Sequence, residues 1–254
     1  MNIFLSIIDC LKIFFQALRF GVLNILFENS NSNLIRALGF LNPFFIVNHK
    51  VPQGLRIKNF LESLGPMFIK FGQLLSTRTD VVPLEITSYL RGLTDQCQSF
   101  PTHKAKQIIE DSLKIKIEDV FEGFEEQPLA AASLAQVHRA RIKNTSEKIV
   151  VKVLRPGIHK KVRRNVRVMR AGGFLLKIFY KESERLRLKD VIDDYERTIF
   201  KELDLKVEAA NTTVTKKNFD NSDLLFIPKV FWDQTTVNVL TLEEIDGIGC
   251  TDVD

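Results

Sequence analysis

The sequence predicts an α+β fold, with a helical N-terminal part followed by a small antiparallel sheet that has long helices set between its strands. Three observations predict it. Residues 52–113 fall into short helix-length segments opened by prolines or a capping residue. The run KIVVKVLRPG, from Lys148 to Gly157, is rich in β-branched residues and ends on a turn. Two longer helical patterns, about 158–180 and 188–217, then separate it from a second β-rich run, Thr236 to Leu242.

MNIFLSIIDCLKIFFQALRFGVLNILF opens the chain. Asp9, Lys12, Gln16 and Arg19 interrupt it at spacings of three or four, so it reads as an amphipathic helix rather than a membrane span. Its apolar face can pack on the protein's own core or lie in a membrane interface, and the pattern leaves both open. Asn29–Asn33 is a polar break, and 34–40 reads as a short helix. Helices follow over Pro52–Leu64, Met67–Ser76 and Pro83–Leu93, and a further helix capped by Thr102 runs to about Leu113. Leu134–Arg141 and Glu147–Leu154 form a hairpin across the Asn144–Ser146 turn, and Phe226–Val230 reads as a short edge strand. In chain order this gives an amphipathic helical segment (1–50), a helical extension (51–126) and a sheet-bearing lobe (127–254).

Composition narrows the function. The 254 residues are 45% hydrophobic and 26% charged, which is ordinary for a globular protein. A net charge of +5 favours an anionic partner without choosing one, and nothing in the pattern points to nucleic acid. Cys10, Cys97 and Cys250 lie apart with no CxxC, and the four histidines lack ligand spacing, so neither a disulfide framework nor a metal site is expected.

Three constellations carry chemistry. Lys152 lies inside an apolar strand and faces opposite to Val151 and Val153. Taken alone it is more simply an edge-strand lysine facing water. Acids that could pair with it follow on the predicted helix 188–217: Glu196, Glu202, Asp204 and Glu208, with Glu202 and Asp204 splayed about 200° apart if the helix is continuous. These acids read equally well as a solvated face balanced by Lys201 and Lys206. Lys70 and Gln73 share a helix face around Gly72, and a mid-helix glycine costs about 1 kcal/mol against alanine, which suggests close approach of another backbone.

Together the motifs resemble the UbiB-type family of atypical protein-kinase-like proteins, which is linked to ubiquinone biosynthesis. The matching residues are Lys70, Gly72 and Gln73 (KxGQ); Ala130, Ala131, Ala132 and Ser133 followed by AQVH; Lys152 in VVKVLRPG; Glu202 and Asp204 (ExD) followed by Glu208; and VLTLEEIDGI at the hinge. The resemblance covers the chain from about Leu64 onward and implies a protein-kinase-like N-lobe, a small antiparallel sheet with an αC-type helix, preceded by the helical extension. It implies that Lys152 contacts nucleotide phosphates and pairs with Glu208. It also implies that the alanine loop replaces a glycine loop, and that the ExD acids hold Lys70 in a helix lying over the pocket.

ATP or ADP with magnesium is the implied cofactor. Its metal ligands, and every catalytic residue, would lie in a C-lobe beyond the hinge. The chain stops near the hinge, so it reads as a truncated member, with no C-lobe, no catalytic residue of its own and a complementing C-lobe chain as one possible partner. The implied setting is peripheral, on the cytoplasmic side of a membrane such as the bacterial inner membrane, beside quinone-biosynthesis proteins. A non-enzymatic membrane scaffold or an inactive remnant is the alternative. In the loop itself, alanine forbids much of the positive-φ curling that glycine allows around phosphates, while Ser133 still offers a hydroxyl.

Overall fold

The computed structural model describes residues 3–28, 42–44, 50–80, 82–94, 97–179, 187–220, 222 and 224–247. In chain order its elements are α1 (Ile3–Arg19), α2 (Val22–Glu28), α3 (Gln53–Leu64), α4 (Pro66–Ser76), α5 (Leu84–Leu90), α6 (Thr102–Leu113), α7 (Ile117–Val120), β1 (Phe121–Glu122), β2 (Ala130–Ala131), β3 (Ala135–Ile142), β4 (Lys148–Leu154), α8 (Ile158–Phe179), α9 (Leu188–Glu202), α10 (Leu205–Asn218) and β5 (Val239–Glu243). The chain forms two compact units, Met1–Asp95 with His159–Thr198 and Gln96–Ile158 with Ile199–Asp254. Both units are discontinuous in sequence, so the segment boundaries near 50 and 126 read from the sequence do not coincide with them.

The first unit is helical. Gly65, at φ +93°, turns the chain between α3 and α4 in a backbone region that favours glycine. Pro66 then starts α4, where its missing N–H costs nothing. The phenol of Tyr195 on α9 donates to the Met67 carbonyl at 2.7 Å, and its ring meets Phe71 edge-on at 5.2 Å. Tyr195 is 1% exposed, so this bond anchors the start of α4 in a dry setting. Near the N-terminus, the buried Asn42 amide donates to the Leu18 carbonyl at 2.9 Å and to Asn24 Oδ1 at 2.7 Å.

The second unit is built on an antiparallel sheet in the order β1-β3-β4-β5, with β2 pairing beside β1 on β3. Opposed residues share a face. Gln136–Val153, His138–Val151 and Ala140–Ile149 face one way, together with Thr241 and Val239 from β5. That face is buried against α6 and α7 in a core with Phe100, Ala105, Ile109, Ile117 and Phe121. The opposite face carries Val137, Val150, Lys152, Leu240 and Leu242. Period-two alternation in β4 thus separates a closed apolar face from one that carries Lys152 in its middle and Lys148 at its end.

Three sequence expectations are corrected. The predicted helix over 188–217 breaks at Leu203 and Asp204 into α9 and α10. Asp204 is the N-cap of α10 with extended backbone, and its carboxylate accepts from the Lys206 N–H at 3.0 Å. A carboxylate that satisfies an orphan amide starts a new helix instead of continuing the old one. Thr102 is not the cap of α6; Pro101 holds that position, and the Thr102 hydroxyl donates to the Glu126 carbonyl at 2.5 Å. Phe226–Val230 forms no strand beyond a single bridge, Val230 to Leu242, because Pro228 cannot donate to a ladder. The polar break at 29–33 and the helix expected over 34–40 lie outside the described residues.

Candidate functional site

In the second unit, Lys152 Nζ lies 2.8 Å and 2.7 Å from the two carboxylate oxygens of Glu208. Lys152 projects from the middle of β4, opposite Val137 on one side and Leu240 on the other. Glu208 stands on the first turn of α10, where the helix dipole favours an anion. The side chains are 32% and 42% exposed, so the pair keeps water on one side and can exchange partners with an arriving anion. Val150 and Leu242, opposed across the β4–β5 ladder and both half-buried, extend an apolar floor beside the lysine. At the far end of this face, Arg139, Arg141, Lys148 and Glu244 line an open cavity of about 390 Å³. Arg139 Nε is held there by Glu244 at 2.6 Å.

The alanine loop is a tight hairpin. Ala130 and Ala131 pair with Val137 and Gln136, and the Ala132 N–H donates to the Ala135 carbonyl at 2.9 Å. Ser133, expected to offer its hydroxyl to a phosphate, is buried at 4% exposure. Behind the hairpin runs a buried chain of hydrogen bonds. His138 Nδ1–H donates to the Glu125 carbonyl at 2.9 Å, so its Nε2 is the acceptor of the Gln136 amide at 2.8 Å. Gln136 Oε1 accepts the Phe100 N–H at 3.0 Å. Phe124 stacks on the imidazole at 4.7 Å. Burial pushes the His138 pKa below its ordinary value, against the raising effect of the Glu125 carbonyl.

The KxGQ residues lie on α4 in the first unit. Gln73 Nε2 donates to the Leu93 carbonyl at 3.1 Å. Gly72 is buried, and a Cβ there would meet Leu93 Cδ1 at 2.4 Å and Leu61 Cδ1 at 2.8 Å. The close neighbours are thus side chains rather than the backbone expected from sequence. Gly72→Ala is expected to destabilise the protein by up to about 2 kcal/mol, because an overpacking cost of roughly 1–3 kcal/mol outweighs the roughly 1 kcal/mol gained in helix propensity. A lower midpoint in thermal unfolding checks this, and an unchanged or higher midpoint would contradict it. Lys70 stands half-buried on the same helix, while Glu202 ends α9 and Asp204 caps α10. Sequence reasoning on Glu202 and Asp204 assumed one continuous helix, so the 200° splay between them does not apply.

Sequence reasoning missed Val137, Val150 and Leu242 as the surroundings of Lys152, and it did not assign His138 or Arg155 a role. Alternation alone marks Val150 as a neighbour of Lys152 on its face. The other two require the strand register. Among the described residues, no group of three or more His, Cys, Asp or Glu side chains is placed to hold a metal ion.

A small antiparallel sheet with a central lysine, met by a glutamate from α10, defines a kinase-like small lobe. Residues 92–254 match the ABC1 atypical kinase-like domain, and the chain belongs to that family. A probable protein kinase UbiB from Marinobacter nauticus is 45% identical over 204 residues, covering 80% of this chain and 37% of that protein. One from Azotobacter vinelandii is 41% identical over 222 residues, covering 86% of this chain and 41% of that protein. The chain thus spans about two-fifths of the length of these curated relatives. The solved complex of Rv3197 with erythromycin from Mycobacterium tuberculosis shares the fold at a TM-score of 0.51 and 23% identity, covering 85% of this chain and 50% of that one.

Proposed function

We propose that this chain is the nucleotide-binding part of a UbiB-type atypical kinase or ATPase that supports ubiquinone biosynthesis at a membrane surface. The observation that carries the reading is the Lys152–Glu208 pair on the half-open sheet face. A nucleotide base rests on Val137, Val150 and Leu242, and Lys152 contacts the phosphates of ATP or ADP. The hairpin of Ala130–Ser133 covers the phosphates with its backbone. Magnesium would supply charge neutralisation on the phosphates; no residue of this chain is assigned to hold it, and no phosphoryl transfer is assigned to the chain alone. A C-lobe and quinone-biosynthesis proteins complete the setting. Titration of the whole chain with a fluorescent ATP analogue, competed by ATP and ADP, tests the reading. Saturable, competable binding supports it, and its absence would favour the non-enzymatic scaffold.

A specific observation favours the membrane setting. α8 carries seven Lys or Arg residues and no Asp or Glu, and Lys160, Lys161, Arg163 and Arg167 are exposed. On α1, Leu11, Phe14 and Phe15 are 62%, 54% and 53% exposed. Leu11 and Phe15 line an open groove of about 620 Å³ together with Lys12, Lys161 and Arg164. Exposed aromatics beside cations suit an anionic interface, with each cation near the surface contributing about 1 kcal/mol. Among the described residues no helix is long and apolar enough to cross a membrane. The chain is expected to sediment with phosphatidylglycerol vesicles but not with phosphatidylcholine vesicles, and to release in about 0.5 M salt, where the screening length falls to a few ångströms. Equal recovery with both lipids would contradict this reading.

A further inference from the structure

We infer that Arg155 is a positioning residue that pins the alanine hairpin in one conformation and so sets how fast nucleotide leaves the groove. The inference rests on the nucleotide reading above. It starts from the place of Arg155, one residue beyond the end of β4 and three beyond Lys152.

Four contacts converge there. The Arg155 N–H donates to the Leu134 carbonyl at 2.8 Å. Its Nε donates to the Ala132 carbonyl at 2.9 Å, and one terminal nitrogen donates to the Gln98 carbonyl at 2.8 Å. The guanidinium lies over the Phe100 ring, 5.6 Å from its centroid. Two of the three carbonyls, Ala132 and Leu134, belong to the tip of the hairpin. The third lies in the segment leading into α6. Phe100 belongs to the core on the covered face of the sheet, so the pin acts from behind the hairpin and does not touch the ligand.

The chemistry suits arginine. A planar guanidinium presents donors at fixed angles and can hold two carbonyls on different segments at once, whereas an ammonium is a point donor on a flexible stem. A glycine loop is free to open and close because its backbone visits many conformations. Here alanine narrows the backbone freedom and Arg155 ties down two of the tip carbonyls. The hairpin becomes a fixed cover, and opening it requires release of the guanidinium.

Hydrogen exchange and nucleotide release, measured on the whole chain and on Arg155→Ala and Arg155→Lys, test the inference. In Arg155→Ala the amides of Ala132–Ala135 are expected to exchange roughly tenfold faster or more, while those in the middle of β3 and β4 keep their wild-type rates. Release of the fluorescent ATP analogue is expected to accelerate at least threefold, and Arg155→Lys falls between. Unchanged exchange at the hairpin would overturn the pin. Faster exchange with unchanged release would overturn its role in positioning and leave a purely structural contact. If the wild-type chain binds no nucleotide, the nucleotide reading fails instead, and the exchange rates alone decide whether Arg155 pins the hairpin.

Discussion

Replacing Lys152 by alanine is expected to weaken ATP binding by about tenfold to a hundredfold, the equivalent of roughly 1.5–3 kcal/mol for one charge-assisted hydrogen bond. The same change is expected to leave folding nearly intact. Lys152 and Glu208 are 32% and 42% exposed, so their ion pair is screened by water and contributes at most about 1 kcal/mol to stability. For a chain of this size that corresponds to a shift of roughly 2–4 °C in the unfolding midpoint. The two effects separate cleanly because the lysine's attraction is worth more toward a multiply charged phosphate than toward one hydrated carboxylate. Alanine also leaves the Glu208 carboxylate facing the incoming phosphates, which adds repulsion. Lys152→Ala/Glu208→Gln should therefore recover part of the lost affinity. Calorimetric titration with ATP, alongside a melting curve, makes the measurement. Equal affinity in wild type and Lys152→Ala would remove the lysine from the site.

His138→Ala is expected to cost about 3 kcal/mol or more in stability. Three losses add: a buried aromatic-sized side chain leaves a cavity, the Glu125 carbonyl loses its donor, and the Gln136 amide loses its acceptor. His138 and Gln136 are both fully buried, so water cannot replace these bonds without opening the core. The same network predicts a pH dependence. Protonating Nε2 would set two donors, the imidazolium and the Gln136 amide, against each other. Flipping the Gln136 amide to relieve this would take the acceptor away from the Phe100 N–H. The folded pKa of His138 is lowered by burial. The unfolded chain therefore takes up a proton first as pH falls through about 6.5, and stability declines from there down to the folded value, by at most about 1.4 kcal/mol per pH unit for this one proton. Denaturant unfolding at steps from pH 7.5 to 5.5 reads the slope. His138→Gln should flatten it, and a wild-type curve with the same slope as His138→Gln would show that this histidine does not carry the effect.

Much of the sheet was legible because its pattern is local. The alternation in KIVVKVL marks β4, and Leu134–Arg141 nearly coincides with β3. The two-residue strands β1 and β2 were not legible, since two residues carry no period. The break between α9 and α10 escaped because Leu203 and Asp204 continue a helical pattern. What marks the break is the cap bond that the Lys206 N–H donates to the Asp204 carboxylate, which depends on backbone geometry. The lysine of the site was visible from its strand, and its partner Glu208 came from the family resemblance rather than from spacing. Val137 and Leu242 reach the site through pairing with residues far away in sequence, which no local window contains. Arg155 looked like part of a strand-ending turn, and its work on the hairpin shows only once Gln98 and Ala132 are brought beside it.

The ladder between β4 and β5 also bears on how the protein is made. Val150 pairs with Leu242, about 90 residues later in the chain. At translation rates of roughly 5–20 residues per second, β4 waits about 5–20 s on the ribosome before its second neighbour exists. In that interval Ile149, Val151 and Val153, all fully buried in the finished sheet, lie on a strand with one open edge. The edge of β4 that β5 later covers thus stays open to mispairing until the far end of the sheet is synthesised.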